Sequence, residues 1–188
     1  VMRVELPDGR IGYLKKEHRI RWKDRFENCR AGYGWCSKSV REGRTLQRVE
    51  ADGIAPRCLA MEEENGRAFL LLEAVRDGVD LRRLLHERAC SDEMPIALGR
   101  FCAELHMARI DHPDLYAKHF LIDPQTFAIT LLDWQRARIG SEVPWHRRIG
   151  GLAALAATLP NEMQSPLVWG YLREIDDRAR DVLPYRTL

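Results

Sequence analysis

The chain has 188 residues, and 30 basic against 28 acidic side chains leave a formal net charge of +2. A charge this near neutrality does not require a nucleic-acid partner, so none is expected. Hydrophobic residues make up 45% and charged residues 31% of the chain, as in soluble globular proteins. Five scattered cysteines without a C-x-x-C pair argue against a disulfide framework and a zinc site, and favour a reducing compartment.

No apolar run approaches the roughly 20 residues that span a bilayer, since the longest covers only 149–159. No signal peptide is visible either, so the sequence predicts a cytoplasmic protein. The chain begins with Val1 rather than Met, which leaves open whether Val1 is the biological start.

Near the N-terminus, apolar and polar residues alternate over 2–6 and over 11–16, around a turn signal at 7–10. This pattern predicts a β-hairpin. Residues 17–38 are basic and aromatic with poor periodicity. Within them Arg19, Arg21, Lys23 and Arg25 alternate, so they could face an anionic sugar-phosphate, the anionic inner leaflet or solvent.

A helix is predicted from Ser39, with Gly53 as its stop signal. Two further strands are predicted over 58–62 and 68–74, around a turn at 63–66. The first part of the chain is therefore expected to be mostly strand with one inserted helix.

The remaining chain is mostly helical in its hydrophobic spacing, with one strand pair predicted over 120–132 around a turn at 123–126. Helices are predicted over 80–90, 96–110, 145–159 and 166–183. Together these elements predict an α+β, two-lobed protein-kinase-like fold. A small antiparallel β lobe over 1–75 would bind nucleotide, and a mainly helical lobe over 76–188 would carry the catalytic loop.

A motif between these strands and helices carries the chemistry. Residues 112–119 read H-P-D-L-Y-A-K-H, and L-D-W follows at 132–134. Protein kinases have H-R-D-L-x-x-x-N and then D-F-G. Asp114 therefore corresponds to the carboxylate that meets the substrate hydroxyl, and Asp133 to the one that holds Mg²⁺ against the phosphates. The layout predicts phosphate transfer from ATP.

These motifs resemble the lipopolysaccharide core kinase family, bacterial enzymes that phosphorylate Kdo or heptose sugars of the inner core. The resemblance rests on D-L-Y and H-F within 114–120 and on D-W-Q-R-A-R at 133–138, and it covers about 11–157. It implies ATP and Mg²⁺ as cofactors. The implied substrate is a small molecule or glycolipid, a lipopolysaccharide core sugar, with peripheral contact to the inner membrane.

The resemblance also implies the ATP-binding residues. Lys15 should contact the α- and β-phosphates and pair with Glu42 on the helix. Because side chains alternate along a strand, Lys16 lies on the opposite face and is the competitor, and only the resemblance favours Lys15. Glu73 and Val75 should belong to the hinge that binds adenine through backbone groups.

His119 stands where kinases place a metal-binding Asn, so the resemblance implies a metal ligand. Imidazole is a softer ligand than Mg²⁺ prefers, which leaves phosphate contact or a hydrogen bond to the loop as alternatives. Asp114 and Asp133 also have structural interpretations. Asp114 could cap a turn, and Asp133 could end a strand and pair with a nearby arginine, Arg136 or Arg138.

Three departures from the family pattern bear on activity. No Gly-rich loop is visible, Pro113 replaces the Arg of H-R-D, and Gly151 lies where the family usually has an Asp that braces the catalytic loop. They leave open a pseudokinase that acts as a binding or scaffold module without turnover. A kinase for another small molecule, such as an aminoglycoside-type phosphotransferase, is a third interpretation. The acceptor sugar and the oligomeric state do not follow from the sequence.

Overall fold

The computed structural model describes residues 1–49 and 53–182, with the backbone alone for 179–182. The chain forms two compact units. The first holds Val1–Gly78 and Thr130–Arg136, and the second holds Val79–Ile129 and the described residues from Ala137 onward. The lobes over 1–75 and 76–188 stay a prediction.

A four-stranded antiparallel sheet forms the centre of the first unit. Its strands, in the order β1-β2-β4-β3, are β1 (Met2–Glu5), β2 (Ile11–Glu17), β3 (Cys58–Glu64) and β4 (Arg67–Glu73). Both predicted hairpins are confirmed. In the second hairpin, Asn65 and Gly66 have φ values of 49° and 73°, as a tight two-residue turn between antiparallel strands requires.

Helix α2 (Lys38–Val49) packs on this sheet and confirms the helix predicted from Ser39. It approaches the sheet closely at Gly43, where a Cβ atom would collide with Met61 and lie 3.2 Å from Leu70 Cδ1. The end of the predicted helix before Gly53 falls on residues 50–52, outside the described residues.

Helix α1 (Trp22–Arg30) was not predicted. Its buried side chains are the polar Asp24 and Asn28, whereas Trp22 and Phe26 are exposed. A helix whose inner face is polar lacks the apolar periodicity on which sequence-based prediction depends.

The α-helices in the described residues of the second unit are α3 (Leu81–His86), α4 (Met94–Met107), α5 (Trp145–Ala156) and α6 (Asn161–Val182). Three of them are shorter than predicted or shifted. Helix α6 instead begins five residues before Pro166, the predicted start, and the predicted end at Leu183 lies outside the described residues. Gly99 lets α4 and α6 touch, because a Cβ atom there would overlap the backbone at Leu167.

Short antiparallel strand pairs connect loop segments of the second unit. Strand β5 (Val79–Asp80) pairs with β7 (Phe120–Ile122), and β6 (Ile110–Asp111) pairs with β9 (Arg138–Ile139), both antiparallel. Helix α4 thus ends before the predicted limit of 110, and Ile110 is instead the first residue of strand β6. After β7 the chain turns as predicted and continues into β8 (Ile129–Leu131).

Candidate active site

Lys15 on β2 and Glu42 on α2 form an ion pair in the first unit. The Lys15 Nζ atom lies 2.7 Å and 3.0 Å from the two carboxylate oxygens of Glu42. The Glu42 side chain is 4% exposed and that of Lys15 27% exposed. The predicted pairing of these residues is present, whereas Lys16 is exposed.

The charge on Glu42 depends on its partners. Burial raises the pKa of Glu42, while the charge and hydrogen bond of Lys15 and the backbone N–H of Trp134 lower it. The nearby Asp133 carboxylate raises the pKa further. The net result is a raised pKa for Glu42, and Lys15 is the main group that opposes this rise.

Asp133 follows strand β8 in an unusual backbone conformation, with a φ of 63°. Left-handed backbone in a residue other than glycine costs of the order of 1 kcal/mol and is often found at functional sites. The next residue, Trp134, is fully buried and its Nε1 donates to the Leu131 carbonyl at 2.7 Å, which anchors the segment. Gln135 Nε2 donates to Asp133 Oδ1 at 2.7 Å.

Lys15, Glu42 and Asp133 line one pocket of the first unit. The other charged or amide side chains along it are Lys16, Glu17, Asp24, Lys38 and Gln135. Three lysines and four carboxylates thus border the same space. This arrangement suits a ligand that carries both phosphates and a divalent cation.

The start of α2 is held by carboxylates from the sheet. Glu17 Oε1 on β2 accepts from the Ser39 N–H at 2.6 Å, and Glu63 on β3 accepts from the Ser37 N–H. Ser37 Oγ in turn accepts from the Val40 N–H at 3.1 Å. Negative charge is favourable at a helix N-terminus, so these contacts fix α2, and with it Glu42, against Lys15.

The predicted hinge begins at Glu73, the last residue of strand β4. The Glu73 N–H donates to the Arg57 carbonyl and the Ala74 N–H to the Ile11 carbonyl, both at 2.9 Å. Both backbone donors before Val75 are therefore engaged within the protein, and Val75 supplies the next N–H along the chain. The Glu73 carboxylate is 3.0 Å from Arg10 Nη1.

The catalytic-loop segment lies in the second unit. Asp114 is half-buried, and its carbonyl oxygen accepts from the Tyr116 N–H at 3.0 Å. The same carbonyl lies 2.7 Å from His119 Nδ1. A carbonyl only accepts, so Nδ1 carries a proton, and Nε2 is the ring nitrogen that could bind a metal. The hydrogen bond to the loop, one of the alternatives for His119, is thus present. Metal-binding histidines usually donate their other ring N–H in this way, so the bond is compatible with metal ligation.

The model of the lipopolysaccharide kinase (Kdo/WaaP) family matches residues 16–156. The chain belongs to this family. It is 29% identical over 136 residues to the 3-deoxy-D-manno-octulosonic acid kinase of Vibrio cholerae. The matched region covers 69% of this chain and 57% of that protein.

A second relative is the lipopolysaccharide core heptose(I) kinase WaaP of Pseudomonas aeruginosa, 27% identical over 174 residues. That match covers 82% of this chain and 64% of the relative. The chain thus spans 57% and 64% of the lengths of these two relatives.

A solved structure of an aminoglycoside-3'-phosphotransferase of type VIII has a TM-score of 0.56 to this chain at 16% identity. The match covers 95% of this chain and 82% of that one. The similarity confirms the predicted protein-kinase-like fold, and at this identity it concerns the fold alone. No helix within 1–49 and 53–182 is long and apolar enough to cross a membrane.

In this kinase family member, Asp111 forms a brace that the sequence did not reveal. Its buried carboxylate accepts from Arg138 Nη1 at 3.1 Å and from Arg147 Nη1 at 2.8 Å. Arg138 is one of the two arginines that the structural interpretation of Asp133 invoked. Because the partners lie 27 and 36 residues from Asp111, no local sequence pattern predicts these ion pairs.

Gly151, where the family usually has an Asp, lies beside the catalytic loop. A Cβ atom at Gly151 would be 3.0 Å from Leu115 Cδ1, and Leu115 is fully buried. Within the second unit, Leu115 therefore packs where a larger side chain would project.

A metal site made wholly of protein ligands is absent from the described residues, since no three His, Cys, Asp or Glu side chains there could hold an ion together. Mg²⁺ commonly takes one or two carboxylates and completes its shell with phosphates and water. The half-buried Asp133 carboxylate beside Lys15 fits that requirement.

Proposed function

We propose that this chain is an ATP-dependent kinase that phosphorylates a sugar hydroxyl of the lipopolysaccharide inner core. One observation carries the proposal. The Lys15–Glu42 ion pair, 2.7 Å long, borders the same pocket as Asp133 in a chain of the Kdo/WaaP family. Kinases require a Lys–Glu pair and an Asp for Mg²⁺ together.

In this proposal Lys15 contacts the α- and β-phosphates, and Glu42 holds the lysine in place. The backbone of Glu73 and Val75 binds adenine at the hinge. The Val75 N–H is the donor expected to meet the base, since the N–H groups of Glu73 and Ala74 bond to protein carbonyls. Asp133 and His119 are the proposed ligands of Mg²⁺, with His119 using Nε2.

When bound, Mg-ATP supplies the phosphoryl group and offsets the negative charge of the phosphates. Asp114 orients the acceptor hydroxyl and takes its proton as the oxygen forms its bond to the γ-phosphorus, while the bond from that phosphorus to the β–γ bridging oxygen breaks. The Asp111 network with Arg138 and Arg147 positions the strand that leads into Asp114.

The acceptor class is proposed from the relatives, whose names specify a 3-deoxy-D-manno-octulosonic acid kinase and a heptose(I) kinase. We therefore place the chain in the cytoplasm, working on a glycolipid and in peripheral contact with the inner membrane. A nucleic-acid partner is not part of the proposal.

The test offers Mg-ATP with two acceptors, delipidated core sugars ending in Kdo and in heptose, and detects phosphorylated product by mass spectrometry. Phosphorylation of either sugar supports the proposal, and the preferred one assigns the acceptor. ATP binding without phosphorylation of either sugar would instead support the pseudokinase, which Pro113 and Gly151 favour. Absence of ATP binding would contradict both.

A further inference from the structure

Helix α1 has its aromatic residues on the outside. Trp22 is 66% exposed and Phe26 54% exposed, and their spacing of four residues places them on one face. Cys29, one turn further along the same face, is also exposed. Large apolar side chains aligned on an exposed helix face usually mark an interaction surface.

Polar contacts, rather than these aromatics, attach α1 to the first unit. Asp24 is 6% exposed and pairs with Arg21 at 3.0 Å and Lys38 at 3.1 Å. Asn28 donates to the Cys36 carbonyl at 2.9 Å and accepts from Arg41 at 3.1 Å. The inner face of α1 is thus satisfied without Trp22 or Phe26.

The charge around the exposed aromatics is positive. The stretch 19–30 contains five basic and two acidic residues. Arg21 and Arg25 pair with Asp24 and Glu63. Arg19, Lys23 and Arg30 are exposed, and Lys23 Nζ lies 6.0 Å from the centre of the Trp22 ring. Aromatic side chains flanked by exposed basic ones are typical of helices that lie in the interface of an anionic bilayer.

We propose that the surface made of Trp22, Lys23, Phe26 and Arg30 on α1 and of Arg19 just before the helix, called the α1 surface, docks the protein on an anionic lipid bilayer. Asp24 on the inner side of α1 lines the same pocket as Lys15 and Asp133. Docking would therefore bring the candidate site close to a lipid-borne acceptor. This role in catalysis rests on the proposed function, whereas the docking itself does not.

A second exposed apolar surface, formed by α5 and α6, is the natural comparison. It presents Trp145 and Trp169, each with an arginine near its ring. Those arginines pair with acidic side chains, Arg148 with Glu142 at 3.8 Å and Arg173 with Asp177 at 3.5 Å. The α1 surface thus has the better charge match to anionic lipid.

The test is sedimentation with vesicles of phosphatidylglycerol mixed with phosphatidylcholine, against phosphatidylcholine alone, over a salt series. Wild type should favour the anionic vesicles, and rising salt should weaken that binding. Trp22→Ala/Phe26→Ala and Arg19→Glu/Lys23→Glu should each reduce partitioning by about tenfold or more. Trp169→Ala is the matched control and should bind as wild type does.

Three results would overturn the proposal: wild type that does not favour anionic vesicles, α1 variants that bind like wild type, or loss of binding in Trp169→Ala. Turnover with a delipidated sugar separates this inference from the proposed function. The Trp22→Ala/Phe26→Ala protein should phosphorylate that sugar at the wild-type rate. If wild type has no turnover but the vesicle results hold, only the proposed function fails.

Discussion

The carbonyl oxygen of Asp114 and the ring nitrogen Nδ1 of His119 lie 2.7 Å apart. Because the carbonyl only accepts, Nδ1 is the nitrogen that carries a proton. His119 lies five residues after Asp114, the proposed catalytic carboxylate. Kinases place Asn at this position. The contact makes His119 both a support for the loop and a candidate ligand through Nε2.

His119→Ala should raise the Mg²⁺ concentration for half-maximal turnover by about 10- to 100-fold, the usual effect of losing a metal ligand or its support. His119→Asn should restore an oxygen ligand and retain more activity with Mg²⁺. Because imidazole also suits softer divalent ions, the ratio of Mn²⁺- to Mg²⁺-supported turnover should be higher in wild type than in His119→Asn. Equal metal dependence in all three proteins would exclude ligation.

The Lys15–Glu42 pair predicts a sharp contrast between adjacent lysines. Lys15→Met should weaken ATP binding and lower turnover at least about 100-fold, whereas Lys16→Met should have little effect. Lys15→Met should also raise the pKa of Glu42, whose carboxylate would stay buried without its cation. Calorimetric ATP titration of both variants measures the contrast, and equal losses would contradict the assignment.

His106 predicts acid sensitivity of the fold. Burial, and then the charge of Arg148, lower its pKa from 6.5 to about 4, and Nδ1 lies 2.8 Å from the Tyr171 hydroxyl. The unfolded chain therefore binds a proton more readily, and stability is lost as pH falls from 6.5 towards 4. The loss is about 3 kcal/mol. His106→Gln should flatten this part of the curve of unfolding free energy against pH. An unchanged slope would contradict the interpretation.

Two glycines in helices predict opposite effects of alanine. A Cβ atom at Gly99 would overlap the Leu167 backbone, whereas a Cβ atom at Gly150 would meet nothing within 4 Å. Gly150→Ala should stabilise the fold by about 0.5–1 kcal/mol through helix propensity. Gly99→Ala should destabilise it by about 1–3 kcal/mol, because α4 and α6 must separate. Chemical denaturation measures both, and the same sign for the two would contradict the packing.

The Asp111 network predicts a positioning effect. Asp111→Asn keeps the shape of the side chain but weakens the pairs with Arg138 and Arg147. Because Asp111 lies three residues before Asp114, kcat should fall about tenfold while the KM for ATP stays within about twofold. A rise in the KM for ATP with kcat unchanged would argue against this role.

The sequence predicted the hairpins and α2 because alternation, turn residues and a helical apolar face are local signals. Helix α1 was not predicted because its inner residues, Asp24 and Asn28, are polar and give no apolar periodicity. The α6 boundary was wrong because Pro166 lies inside the helix, although proline usually marks a helix start.

The site shows the same division. Asp114 and Asp133 follow from a motif of fixed spacing, but Lys15 was preferred over Lys16 only through the family resemblance. What distinguishes Lys15 from Lys16 is a tertiary contact, because the packing of α2 brings Glu42 to Lys15. The role of Asp111 could not be predicted, because Arg138 and Arg147 are distant from it in sequence and reach it only in the folded structure.

The most direct test of the account compares wild type with Asp114→Asn in Mg-ATP binding and in turnover of a delipidated core sugar. Asn keeps the size of the side chain but is not a base. The variant should bind ATP within about twofold of wild type and lose about 10²- to 10⁴-fold in kcat. A variant that phosphorylates the sugar at the wild-type rate would contradict the central claim that Asp114 is the base of a sugar kinase.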